Sequence, residues 1–331
     1  MKTLKFYSMI FGLLFFSACQ FVTFSQIINS GSTQILDPKS SLNLLFDGGF
    51  FTEGPAVSPD GFVYFSDITS TSRSEMQAGY IWKYDLKTKK TSLFRSPSGM
   101  SNGIIFDLEG NMVLALGADF GGRCVIRTNM ETGKSKIIAG TFNGKSFNSP
   151  NDLTIDDRGR IYFTDPRYGG HEPVEQSVMG VYRIDLDGTV KRIIDQAGTP
   201  NGILISPDQK NLYIASINLS TWSGLNAVIK YQLDNDGNTS NRKILIDFKG
   251  EYGPDGMTID TDGNLYLARP GNTPGIYIYS PEGVRLGFIS TPEQPTNVTF
   301  GHGETENFLF ITAGKSLYSI IINAKGYFPK K

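Results

Sequence analysis

Cysteine and histidine are nearly missing from this chain: two of each occur in 331 residues, with only two tryptophans. Cys19 falls in an N-terminal apolar segment, which leaves Cys124 alone, so no disulfide framework is expected even in an oxidising compartment. Cys124 itself reads as a small buried apolar side chain. So little His and Cys disfavours a zinc centre, which prefers nitrogen and sulfur donors. An excess of one charge is lacking too: 31 Lys and Arg face 32 Asp and Glu, for a net charge of -1, and they are scattered. That excludes a nucleic-acid surface and makes a small neutral or mildly charged ligand the natural partner.

Long apolar runs are also wanting. Residues 6–16 form one such run after Lys2 and Lys5, too short to span a bilayer but shaped like a secretory signal. Export is therefore expected, to the periplasm or outside the cell. Two processing routes stay open: cleavage after Ser25, which leaves Gln26 first and makes 1–25 a signal peptide, or a lipoprotein signal ending before Cys19, since Ser17 and Ala18 are small. Only a lipid on Cys19 would attach the chain to a membrane. Residues 26–40 then read as a leader, 41–324 as one domain and 325–331 as a tail.

What is present is a repeated phrase. Ser149-Pro150-Asn151-Asp152 leads into an apolar strand, an Asp-Gly turn, a second strand ending in Thr164-Asp165, and a loop opened by Pro166. Glu53-Gly54-Pro55, Asn102-Gly103-Ile104, Asn201-Gly202-Ile203 and Asp255-Gly256-Met257 open comparable units, and Thr296-Asn297-Val298 opens a weaker sixth. A turn glycine follows at the same distance in four of the first five (Gly61, Gly110, Gly159, Gly263), with Gln209 in that place in the other. The openings fall about 49, 49, 50, 54 and 41 residues apart, a spacing suited to propeller blades. The fold class that follows is all-β: a six-bladed β-propeller of four-stranded blades around a central channel, with residues 41–46 as the outer strand that completes the last blade and closes the ring. Tyr64, Tyr162, Tyr213 and Tyr266 fall at matching places in the second strands and read as core.

This architecture decides where chemistry can sit. The residue just before each inner strand lies at one mouth of the channel, and the loops between second and third strands overhang the same mouth. Glu53, Asn102, Asn151, Asn201 and Asp255 occupy that place in successive units. Any one of them could be turn chemistry alone; five in register, with two carboxylates among them, point to a hard cation with oxygen ligands such as Ca²⁺.

The phrases Glu53-Gly54-Pro55, Ser149-Pro150-Asn151-Asp152, Phe163-Thr164-Asp165-Pro166, Pro200-Asn201-Gly202 and Gly253-Pro254-Asp255-Gly256 resemble those of the gluconolactonase/regucalcin (senescence marker protein) family, and 295–300 and 317–318 resemble its last blade. The resemblance implies lactone hydrolysis with one divalent metal in the channel, usually Ca²⁺, with Mg²⁺, Mn²⁺ or Zn²⁺ as alternatives. By motif position it implies Glu53, Asn201 and Asp255 as metal ligands, Asn151 as a further channel asparagine close to metal and substrate, and Asp255 as the group that activates water. Asn102 and Asp152 join as substrate contacts on position alone. Such a site suits a cyclic ester: a cation at the carbonyl stabilises the developing oxyanion, and a neighbouring carboxylate accepts the proton of the attacking water.

The second blade departs from the family, with Leu116-Gly117-Ala118-Asp119-Phe120-Gly121-Gly122-Arg123 where sugar lactonases carry a Glu-His-rich stretch. In the third blade, Arg167 and His171 sit in a loop expected to overhang the channel, as an anion contact and a proton carrier. Trp222 lies in the corresponding loop of blade four. Three functions compete: a metal-dependent sugar lactonase, a hydrolase of another lactone or ester using the same site, and a ligand-binding propeller whose metal only braces the channel.

Overall fold

The computed structural model describes residues 27–28, 35–69, 79–218 and 225–329. The signal segment with Cys19, and Trp222, lie outside the described residues. Apart from a single 3-10 turn at Gly303–Thr305, the regular structure among the described residues is strand.

Six antiparallel blade sheets follow one another along the chain, each running from an inner to an outer strand, with a two-stranded hairpin of Thr141–Phe142 and Lys145–Ser146 between blades two and three. Blade three is typical: Leu153–Ile155, Ile161–Asp165, Gly180–Ile184 and Val190–Ile194. Blade six is Pro295–Phe300, Phe308–Ala313 and Ser316–Ile321, and its outer strand is Asn43–Phe46 from the start of the domain. The ring is thus closed as the sequence predicts, and no blade is left with a free edge between first and last.

Burial follows strand position. The second strands, Val63–Asp67, Met112–Leu116, Ile161–Asp165 and Leu265–Arg269, are buried at every residue, because both faces are covered by the neighbouring blades. They read accordingly as continuous apolar runs rather than as alternation. Outer strands such as Lys90–Arg95 are exposed or half-buried throughout. Six hydrophobic clusters fill the wedges, one between each pair of adjacent blades. Tyr64, Tyr162, Tyr213 and Tyr266 are buried in them as expected, and Cys124 is a buried free thiol in the wedge of blades one and two. The turn glycines adopt left-handed φ, as does Gln209 at 61°. Gln209 holds that conformation with side-chain bonds: its amide donates to Ser206 O at 3.2 Å and its oxygen accepts from Asp157 N at 3.0 Å.

Both chain ends do more than the sequence suggests. The leader is not simply irregular: Ile27–Ile28 pairs with Phe288 and Gly287 as a fifth strand of blade five, and Ile35 and Leu36 are buried between blades five and six. The stretch read as a tail also packs. Gly326 bridges Asp260, the Phe328 ring lies 4.9 Å from His302, and the Tyr327 hydroxyl donates to Asp157 at 2.8 Å and accepts from Gln209 at 2.9 Å. Each segment closes apolar surface that a bare six-blade ring would expose.

Candidate active site

The inner strands set the site. In blades one, two and four the pairing register shifts just after Glu53, Ser101 and Pro200, so that Asn102 and Asn201 sit in a bulge and Glu53, paired with Ser66, borders one. A bulge re-aims its side chain, here toward the channel axis. The main chain beside it is locked to the next blade: Gly103 N donates to Asn151 O at 2.7 Å, Gly202 N to Asp255 O at 3.0 Å, and Gly256 N to Thr296 O at 2.7 Å. The residue after the opening polar one is glycine in four blades because there is no room for more; a Cβ on Gly54, which has φ 45°, would clash with the Asn102 carbonyl oxygen.

The other two blades break that rule, and both put a polar side chain on the axis. Asp152 and Asn297 stand where the others have glycine. Asn297 Nδ2 lies 3.4 Å from Glu53 Oε2 and 3.4 Å from Asp152 Oδ2, joining blades one, three and six across the channel. These side chains form a floor.

Above the floor is a cavity of about 480 Å³ lined by Glu53, Asn102, Asn151, Asn201 and Asp255, with Tyr168, Asp119 and His171 toward the rim. Below it a second cavity of about 280 Å³ runs to the opposite face, lined by Asp152, Asn297 and mostly apolar side chains. The structure therefore unites the five ring residues, and separates Asp152 from the cavity a substrate would enter. Asp152 is floor rather than substrate contact.

Arg167 is not at the cavity wall either. Its guanidinium donates to Asn148 O at 2.9 Å and Glu172 O at 2.6 Å, with Glu172 Oε2 at 3.4 Å, so it braces the loop that carries His171. His171 is at the rim: its side chain is 64% exposed, with Nε2 3.4 Å from Asp119 Oδ1 and its ring 5.4 Å from Phe120. Spacing alone places a loop residue over a channel but cannot say which way its side chain turns.

Electrostatics mark the floor. Glu53 is held well above the usual carboxylic acid range, first by burial, then by Asp255 and Asp152; the Gly54 N–H at 2.9 Å pulls the other way. Asp255 is pushed up to about 8, chiefly by burial and then by Asp152, against a lowering bond from Asn201. Burial pushes Asp152 up to about 7. Asp255 still shows part of its surface to the cavity, whereas Glu53 is 3% exposed. No Lys or Arg lines this cavity among the described residues.

Among the described residues no group of three or more Asp, Glu, His or Cys is placed to hold a metal. The set a divalent cation could fit is therefore the carboxyl groups of Glu53 and Asp255 supplemented by carboxamides, with no Lys or Arg beside them to offset their burial and repulsion. The asparagines fit as well. Asn102 Oδ1 is shielded from solvent and accepts no hydrogen bond, the condition of a donor atom waiting for a partner. The side chains of Glu53 and Asp255, with Asn151 and Asn201, could ligate; Asn102 adds a neutral oxygen.

One site residue escapes a reading by spacing, and a second, Tyr168, falls in the loop expected over the channel without a role of its own. Asn297 hides in the weakest unit, where Thr296 replaces the ring polar group; the alignment of Pro295-Thr296-Asn297 with Pro254-Asp255-Gly256 is the signal that reveals it. Tyr168 comes from the loop of Arg167 and His171. Its hydroxyl accepts from Asn201 Nδ2 at 3.2 Å and reaches Ile217 O at 3.4 Å. Burial, then Asp255, pushes the phenol well above its usual range, so it is a neutral hydrogen-bonding group.

Residues 51–315 match the family described as SMP-30/Gluconolactonase/LRE-like region. The chain belongs to this family. Among curated relatives, a gluconolactonase of Zymomonas mobilis is 32% identical over 315 residues, covering 86% of this chain and 82% of the relative. A pentonolactonase of Haloferax volcanii is 27% identical, covering 79% and 81%. Among solved structures, a gluconolactonase of Xanthomonas campestris superposes with a TM-score of 0.75 at 25% identity, covering 87% of this chain and 91% of that one. For a member of the SMP-30/gluconolactonase/LRE-like family, the cavity with the carboxylate floor is the place to seek chemistry.

Proposed function

We propose that this protein is a metal-dependent sugar lactonase that opens a gluconolactone-like ring to its aldonic acid. The observation that carries the reading is the convergence of Glu53, Asp255 and three asparagines around a cavity of about 480 Å³ that has no Lys or Arg in its described lining. Named gluconolactonase and pentonolactonase relatives support the substrate class.

Glu53, Asn201, Asp255 and Asn151 would hold the cation, with Ca²⁺ the best match to this oxygen set. When bound, it supplies positive charge to polarise the lactone carbonyl. Asp255, open to the cavity, takes a proton from the attacking water as its oxygen bonds to the carbonyl carbon. The ring C–O bond then breaks, the proton passes to the departing alkoxide, and the products are one carboxylic acid and one free hydroxyl. Asn102 and Asn151 can orient sugar hydroxyls, and Tyr168 fixes Asn201. His171, at the rim, meets the substrate only as it enters.

The test is acid release from glucono-1,5-lactone by chelated protein, before and after adding Ca²⁺, Mg²⁺, Mn²⁺ or Zn²⁺. Turnover restored by a cation and lost by about a thousandfold in a folded Asp255→Ala variant is the expected result. Full turnover in chelated protein, or in the variant, would contradict it. Absence of turnover with every cation, in protein that binds one, would favour another ester or a binding role.

The proposal includes export, motivated by the apolar run 6–16 behind Lys2 and Lys5. Mass analysis of the mature protein decides: a start at Gln26 or a lipidated Cys19 agrees with export, and an intact N-terminus in cells does not.

A further inference from the structure

The ring residues are aimed by side chains that do not touch the ring. At the end of each second strand, one residue faces the segment that leads into the inner strand. In blade one this is Asp67, fully buried, whose Oδ1 accepts from Phe50 N at 2.8 Å and Phe51 N at 2.9 Å, three and two residues before Glu53. In blade three it is Asp165, also fully buried, which accepts from Asn148 N at 2.9 Å and Ser149 N at 2.7 Å, three and two residues before Asn151. In blade four Ser216 Oγ accepts from Thr199 N at 3.2 Å, two residues before Asn201, and donates to Leu225 O at 2.8 Å. In blade five the direction reverses: Arg269 Nε donates to Tyr252 O at 2.8 Å, three residues before Asp255.

Blades two and six supply the contrast. At the same register they have Leu116 and Ala313, opposite Ser101 and Pro295, and neither can make such a bond. A main-chain bond at this point occurs in blades one, two, four and six, from Ile68 N, Gly117 N, Ile217 N and Gly314 N. That bond serves the fold. The side-chain bond is additional, and it appears in the four blades that present Glu53, Asn151, Asn201 and Asp255, the same four residues assigned to the cation.

We propose that Asp67, Asp165, Ser216 and Arg269 are positioning residues, each fixing the main chain ahead of one ring side chain so that the four arrive at one point. The cation part of this inference rests on the reading of the ring as a metal site. The entry segments lie ahead of the inner-strand ladders, so their course is underdetermined until something else satisfies their N–H and C=O groups. Buried carboxylates accepting two main-chain N–H groups supply that at blades one and three. Blades two and six, which offer Asn102 and Thr296, hold their entry segments by local side chains instead of the second strand: Ser98 Oγ accepts from Ser101 N at 3.3 Å, and Thr291 Oγ1 donates to Glu293 O at 2.8 Å.

The experiment compares calcium affinity, by titration calorimetry on the full mature protein, among Asp67→Ala, Asp165→Ala and Leu309→Ala. Leu309, fully buried in blade six, is a stability control remote from the anchors. About a tenfold or greater loss of affinity in the two Asp variants, with the control within about twofold at a comparably lowered melting temperature, is the expected result, in line with supporting-shell effects elsewhere. Asp165→Asn keeps one acceptor oxygen and should recover part of the loss. Equal losses in all three variants, or wild-type affinity in the Asp variants, would overturn the proposal. A crystal structure of Asp165→Ala reads the same point without metal: a displaced Asn151 beside an unmoved Asn201 supports the role, and an unmoved Asn151 refutes it. If the wild type takes up no calcium, the cation reading falls while this structural readout still decides the positioning role.

Discussion

The two ends of the channel are built from the same six inner strands and have opposite characters. At the mouth, bulged main chain, long loops and crowded carboxyl groups leave polar atoms such as Asn102 Oδ1 without partners. At the far end, tight turns satisfy their own groups. Asp107, Asp156 and Asp260 each accept from two main-chain N–H groups inside the turn, and Tyr327 and Phe328 from the C-terminal stretch close over the apolar cavity. Hydrogen bonds are satisfied locally where the turns are, and bonding capacity is left unmet where the loops are. A propeller can afford this division because its wedges, not its channel, hold the hydrophobic clusters.

The largest change should come from the joint between the two ends. Gly54→Ala places a methyl group against the Asn102 carbonyl and forces left-handed φ on a residue with a side chain. A cost of about 3 kcal/mol or more is expected, since overpacking and backbone strain add. Chemical denaturation of the variant measures it, and a loss below about 1 kcal/mol would show that the inner strands can shift freely.

Acidity should separate the ends next. Asp255 near 8 and Asp152 near 7, against an ordinary 3.8, mean that the folded chain keeps protons the unfolded chain has released. Stability of the metal-free protein from these groups is therefore full below about pH 4 and declines as pH rises toward about 8. Metal-free protein should melt higher at about pH 5 than at about pH 8, and calcium should erase most of the difference. Melting that is flat across this range with and without calcium would remove the crowded carboxylates from the account.

The smallest effect belongs to the far end. Tyr327→Phe deletes the bonds to Asp157 and Gln209, both partly in solvent, and should cost about 1 kcal/mol. Lactone hydrolysis should not change, because the floor lies between. A fall in kcat with unchanged melting would mean that the two ends communicate.

Much of this was legible beforehand, for physical reasons that also explain the gaps. Blades announce themselves because a second strand buried on both faces must be an apolar run and the turn after the first strand needs positive φ; Gly61 and Gly159 satisfy both demands at fixed spacing. Glu53, Asn151, Asn201 and Asp255 stand out because a repeat places equivalent residues at one end of the axis. Asn297 escaped because its unit lacks the polar residue that defines the pattern, and Tyr327 because nothing periodic extends past the last blade. Arg167 misled because loop side chains turn toward whatever bonds are near, here Asn148 O and Glu172 O.

Calcium titration of chelated protein, followed by heat and by proton release, tests the central claim most directly. If the mouth is a cation site built from carboxyl groups with raised proton affinity, one calcium should bind per chain, more tightly at about pH 8 than at about pH 6, and release more than one proton on binding at the lower pH, since Glu53 and Asp255 both give theirs up. No binding, or binding that Asp255→Ala leaves unchanged, would contradict it.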